Sequence, residues 1–292
     1  MSVNKKVFFF IHAEDLMSRC LWRKKGRKFN YDIWSAQHIS SLTVKLLIVI
    51  VFCNLLVAGC GLEEYYVVEA PDRVLKQPDK DTAYDSRYFS FTTNETRNAG
   101  ISSSFYFMGT AVYYKIFNNF SSADSIFNDV SNANTSDTYS AAINRLTNTY
   151  SFQPLGIDAD TVPEVLIPSI GSDRDVFIRL TNYGDEADFR ARIEIAGSET
   201  DVPKRSIPMS GGKRYSFDFG RTGTYDVVPV SGASGTDVDY NHSSSGFPAG
   251  YADKYFVDMY AVGVGRDTTY TKYYSKVLYL GRVSIDASDK NN

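Results

Sequence analysis

The sequence predicts a mainly β chain: an antiparallel β-sandwich with a helical insertion, after an N-terminal signal and a flexible tether. Three observations predict it. From Tyr84 onward, short segments rich in Phe, Tyr, Val and Ile are separated by Gly, Asn, Asp and Ser, as strands are by turns. Several segments alternate with a period of two: along Asp188–Ile195, Phe189, Ala191, Ile193 and Ile195 share one face while Arg190, Arg192 and Glu194 share the other. Turn chemistry punctuates them, with Ser210-Gly-Gly-Lys213 and Arg221-Thr-Gly-Thr224 flanking one segment and Gly263–Asp267 ending another.

Residues 1–43 form a leader whose composition does not match the rest. It holds both tryptophans, Trp22 and Trp34, the histidines His12 and His38, and the basic run Arg23–Lys28. A start read too far upstream explains the mismatch, with Val44 from a GTG codon, or Met17, as the true initiator. If the leader belongs to the protein, its basic run holds the N-terminus in the cytoplasm by the positive-inside tendency. Residues 44–59 follow the layout of a secretory signal: Lys45, a short apolar run, then small residues. Leu46–Leu62 is also 17 residues of mostly apolar chain, at the lower limit for crossing a bilayer, with Asn54 near its middle.

The run ends in Val57-Ala58-Gly59-Cys60, and the chain turns acidic at once with Glu63 and Glu64. These four residues resemble the lipobox of bacterial lipoproteins, and their place at the edge of the only long apolar run strengthens the likeness. The resemblance implies a fatty acyl group, such as palmitate, on Cys60 and cleavage just before it. It also implies a cell-envelope address. Gly61 is not the Asp that retains some such proteins at the inner membrane, so the resemblance points to the outer membrane, on its periplasmic or surface face.

Residues 60–83, with two prolines and no lasting periodicity, read as a lipid-anchored tether. The sandwich is expected over 84–287, with a short tail at 288–292. Its strands are expected at Arg87–Thr93, Ser104–Phe117, Asp175–Asn182, Asp188–Ala196, Arg214–Phe219, Thr224–Val230, Tyr255–Val264 and Tyr274–Ile285. Between the second and third, about 120–150, the pattern becomes helical: Ser136 can cap a helix with Tyr139, Ala142, Ile143 and Leu146 at i, i+3, i+4 and i+7. A shorter helical turn carries Ile126, Phe127 and Val130. This insertion is expected to pack across one edge or end of the sandwich.

Phe107–Phe117, and the pair Tyr255–Val264 and Tyr274–Gly281, resemble a central strand and the last hairpin of fibronectin type III and immunoglobulin-like sandwiches. No tryptophan follows residue 34, so Tyr or Phe must fill the usual core position. Lipobox and sandwich together resemble surface or periplasmic lipoproteins of diderm bacteria, including spirochaete-type ones.

After Cys60 come 22 Lys and Arg against 31 Asp and Glu, a net charge of about −9. Such a domain, with no basic stripe, is a poor partner for nucleic acid, and acidic headgroups repel it, so lipid on Cys60 must hold it at the membrane. Cys20 and Cys53 fall before the cleavage point, so the mature chain has no partner for Cys60 in a disulfide. The sequons at Asn94, Asn119, Asn134 and Asn241 are expected by chance in a chain so rich in Asn, Ser and Thr.

Catalytic patterns are sparse, and no cofactor is expected. His242 is the single histidine after Cys60, in a loop without a Gly-x-Ser-x-Gly elbow. The same loop is a weak calcium candidate, with Asp237, Asp239 and Asn241 at alternate ligand places; His242 then stands where glycine is needed and Pro248 where the closing Glu should be. Twenty tyrosines follow Cys60. Pairs such as Tyr113-Tyr114 put a ring on each face of a strand, and outward rings suit a protein or glycan ligand, although core edges also use tyrosine. The function expected is therefore a non-enzymatic, lipid-anchored envelope protein whose sandwich binds or supports. The alternatives are an envelope hydrolase or carbohydrate-processing enzyme, and a signal-anchored single-pass membrane protein.

Overall fold

The computed structural model describes residues 44–50, 66–81, 83–135, 138–157, 162–183, 187–207, 213–221, 223–233 and 235–287. The chain divides into two units, Met1–Glu64 and Tyr65–Asn292. In the first, residues 44–50 are helical and exposed. Among the described residues no helix is long and apolar enough to cross a membrane. The second unit is mainly β, with antiparallel sheets.

One sheet contains β1 (Arg73–Lys76), β2 (Phe89–Thr92), β4 (Asp175–Arg179), β5 (Arg192–Ile195) and β6 (Ser198–Asp201), side by side in that order and all antiparallel. The other is built on three long strands, β3 (Phe105–Phe117), β7 (Lys254–Asp267) and β8 (Lys272–Asp286), with β7 between its neighbours. Three two-residue pieces cover the outer edge of β3. Ile167–Pro168 and Gln153–Pro154 pair antiparallel with Gly109–Thr110 and Tyr113–Tyr114, and Tyr240–Asn241 pairs parallel with Ile116–Phe117. Such patches satisfy edge groups that would otherwise invite another strand.

The long strands are apolar on both sides because both faces are covered. Phe89, Phe91, Val176, Ile178 and Ile193 of the first sheet meet Val112, Tyr114, Ile116, Val257, Met259, Ala261 and Val283 of the second. The opposite face, carrying Ala111, Phe117, Phe256, Tyr260, Val262 and Val277, packs under Ala123, Ile126, Val130, Ala142, Ile143 and Leu146 of two helices. These are α2 (Phe120–Ala133) and α3 (Tyr139–Asn144), the latter continued by a wider turn to Thr149; a single-turn helix, α1 (Glu95–Asn98), precedes them. The layers run sheet, sheet, helix.

Several expectations need correction. The insertion covers a sheet face instead of an edge or end, because α2 and α3 each bring an apolar stripe that only a second sheet surface can bury. The expected short turn is a 14-residue helix, capped by Asn119, whose side chain accepts from the Ser121 amide. Ser136 lies outside the described residues, as does most of the Ser210–Lys213 turn, and α3 starts after Thr138. Residues 66–81, expected as tether, belong to the fold: Val68 is 1% exposed and β1 pairs with β2. Arg214–Phe219 and Thr224–Val230 are not strands. Their apolar rings are delivered by irregular chain, with the Phe219 amide turned back on the Phe217 carbonyl at 2.9 Å. At Asp188–Ala196 only Arg192–Ile195 is strand, Ala187–Phe189 being a 3-10 turn. The β7 strand runs through Gly263 to Asp267, and the hairpin turns at 267–271, where Asp267 Oδ1 accepts from the Thr269 and Thr271 amides at 2.8 and 2.9 Å.

Candidate functional site

Of the residues singled out in the sequence, Cys60 lies outside the described residues. The three weak calcium candidates are described, and their environment disfavours a cation there. Arg205 is fully buried. Its Nε donates to Asp239 Oδ2 at 2.9 Å, and its Nη2 donates to Asp239 Oδ1 and Asp237 Oδ2, each at 2.7 Å. Tyr114 Oη donates to Asp239 Oδ2 at 2.7 Å and accepts from the Ser206 amide at 2.6 Å. A guanidinium therefore occupies the place a cation would need, and Asn241 is drawn off into the pairing with Phe117. Among the described residues no group of three His, Cys, Asp or Glu could hold a metal ion. The cluster ties Arg205, Asp237 and Asp239 to the core, the Asp239 carbonyl also accepting from the Ile116 amide at 2.9 Å.

His242 is held by structure as well, its Nδ1 lying 3.3 Å from Tyr240 Oη and 3.4 Å from Asn118 Nδ2. The sequon asparagines carry structural bonds. Asn94 Nδ2 donates to the Ala70 carbonyl at 2.8 Å, and Asn134 exchanges two bonds with the Val277 backbone. Tyr113 and Tyr114 do project to opposite faces, Tyr114 into the core between the sheets and Tyr113 against the helix-covered cluster.

Sequence reasoning missed two further buried ion pairs. On β7 and β8, Asp258 faces Arg282, whose Nη1 also reaches Asp124 of α2 at 2.6 Å. Glu95 of α1 receives Arg174 Nε and Nη2 at 2.9 and 2.6 Å and the amides of Ile170 and Gly171 at 2.6 and 2.9 Å. A signal existed for the first pair: Asp258 and Arg282 each interrupt an apolar stretch of their strand.

Between the start of β2, the segment after β4 and the 218–221 loop lies a small cleft of about 20 Å³, room for roughly one water molecule. Tyr84 stacks on Tyr183 with centroids 5.4 Å apart, and the Arg87 guanidinium lies 4.6 Å from the Tyr84 ring centre. Asp218 forms the floor, accepting from Thr181 Oγ1, from the Asn182 amide at 2.7 Å and from Asn182 Nδ2 at 3.1 Å. Arg221 Nη2 donates to the Asn182 carbonyl at 2.5 Å. Asn182 and Asp218 also line a neighbouring hollow with Lys204, Arg190 and Glu199. The Tyr183 hydroxyl donates to the Ser284 carbonyl at 3.1 Å, and burial pushes its pKa up, so it is a fixed neutral donor. Rings and hydrogen-bonding groups here engage one another, so the place is a packed junction.

Compared with protein-family models, with curated proteins and with solved structures, the chain matches none.

Proposed function

We propose that this is a non-enzymatic, lipid-anchored cell-envelope protein, acylated on Cys60, whose β unit is a binding or structural module. The observation that carries it is the order of events along the chain. A basic residue, an apolar run and Val57-Ala-Gly-Cys60 are followed, only eight residues after the cysteine, by Val68, the first buried residue among those described in the β unit. That is the arrangement of an exported domain tied directly to its anchor. The outer membrane is the proposed site, supported by Gly61 after the cysteine.

The non-enzymatic part is supported by how the buried carboxylates are used. Asp239, Asp258 and Glu95 are each held by an arginine, an arrangement that serves packing. The ligand proposed for the module is a protein or a glycan. A fibronectin type III or immunoglobulin-like kinship is part of the same reading. It is supported by β1, β2 and β4 adjoining in one sheet and β3, β7 and β8 in the other, which is the A-B-E and C-F-G order of those sandwiches.

The test is metabolic labelling with a palmitate analogue. Label on the wild-type chain and none on Cys60→Ala supports the reading; an unlabelled wild type contradicts it and favours a signal-anchored protein.

A further inference from the structure

We infer that the end of the β unit where the chain enters it, presenting Tyr106, Tyr270, Ile170 and Arg266, seats on the zwitterionic surface of the bilayer that holds residue 60. This rests on the reading that residue 60 sits at a membrane, whether through acylated Cys60 or through an uncleaved apolar anchor. The entry point is fixed by Tyr66, which stacks on Phe105 at 5.0 Å and meets Tyr273 edge-on at 5.3 Å. Phe105 begins β3 and Tyr273 is the second residue of β8, so the chain arrives at the β7–β8 hairpin end. Tyr66 is only six positions on from Cys60. Even fully extended, that stretch spans about 20 Å, so a bilayer attached at residue 60 must lie next to this end.

That end is built unlike the rest of the surface. Tyr106 is 58% exposed, Tyr270 73% and Ile170 68%, the three highest values among the exposed large apolar side chains of the described β unit. The Arg266 guanidinium lies between the two rings, 5.6 Å from Tyr106 and 5.0 Å from Tyr270. Ile170 stands alongside, because Ser169 bonds to the Met108 carbonyl next to the Tyr106 end of β3. Amphipathic rings and a basic head on an apolar stem are the side chains that settle at the headgroup level. The one acid in the hairpin turn, Asp267, spends its Oδ1 on the turn amides. The acidity of the chain after Cys60 disfavours an anionic surface, so the occupant is a neutral headgroup layer.

The test uses tryptophan as a depth probe. The full chain is made as Trp22→Phe/Trp34→Phe with either Tyr270→Trp or Val238→Trp. The latter is 46% exposed and at the opposite end, beside the Asp239 carbonyl that pairs with Ile116. Each protein is extracted from membranes and reconstituted into phosphatidylcholine vesicles with and without brominated acyl chains. The expected result is a blue shift and marked loss of emission for Tyr270→Trp, with little of either for Val238→Trp. Equal or absent quenching on protein that sediments with vesicles overturns the docking while leaving the anchor intact. Protein that does not sediment removes the anchor, and the inference falls with it. A blue shift of Tyr270→Trp that grows with protein concentration without lipid gives the face to a second copy and overturns the inference.

Discussion

Asp258 and Arg282 lie directly opposite one another on β7 and β8, and both are buried. Arg282 Nε and Nη2 reach the two carboxylate oxygens at 2.5 and 2.9 Å, and a third nitrogen ties α2 to the sheet through Asp124. The pair thus fixes both the register of the last hairpin and the seat of the helical layer.

Removing one partner leaves the other charged and buried. Asp258→Asn or Arg282→Met is expected to cost about 3–5 kcal/mol, whereas Asp258→Leu/Arg282→Met together is expected to lie close to wild type. Urea unfolding of the three variants measures this. Equal losses in single and double variants would show that the charge pair is not the source.

Residues 66–81 act as part of the fold. Val68 packs against Gly263, where an added Cβ would come 3.1 Å from its Cγ1. Val68→Ala is expected to lower stability by about 2 kcal/mol. A tether residue would show no change, so the same urea midpoint decides between the two roles.

Lys115 gives a pH signature. It is 4% exposed, its ammonium donates to the Val238 carbonyl at 2.8 Å, and burial pulls its pKa down to about 8 against the partial support of Asp239. The unfolded chain keeps that proton to about pH 10.4, so between pH 8 and 10 it binds more protons than the folded one. Stability is then expected to rise with pH by at most about 1.4 kcal/mol per unit. Above pH 10 buried tyrosines oppose this: burial raises Tyr113 to about 12, so the unfolded state loses its phenolic proton first. Lys115→Met is expected to flatten the rise, read from urea midpoints across that window.

Calcium is expected to leave the protein unchanged. With Arg205 on both Asp237 and Asp239, added calcium or a chelator should not move the thermal midpoint. A clear upward shift with calcium would mean that the guanidinium can be displaced.

The sequence made some of this legible and hid the rest for physical reasons. Strands β2, β3, β4, β7 and β8 were readable because each carries a run or alternation of apolar residues that pairing preserves. Strand β1 was hidden. It lies at a sheet edge, carries Arg73 and Lys76, and sits between Pro71 and Pro78, all features that mark natural edges as much as they mark loops. Phe217 and Phe219 alternate like strand residues, yet both rings enter the core from a tight turn, its backbone held by the Tyr225, Phe217 and Asp226 carbonyls in place of a sheet. The Asp237-x-Asp239 spacing suggested calcium because spacing alone cannot reveal an arginine more than thirty positions upstream. The cleft was not legible, since Tyr84, Asn182 and Asp218 meet only through the fold.

The central claim is that the working protein begins at Cys60 and is held by lipid. The intact mass of the protein from the membrane fraction tests it most directly. The account predicts a product starting at Cys60 and heavier than its polypeptide by the mass of the attached acyl groups. An unmodified chain that retains residues 44–59 would contradict it.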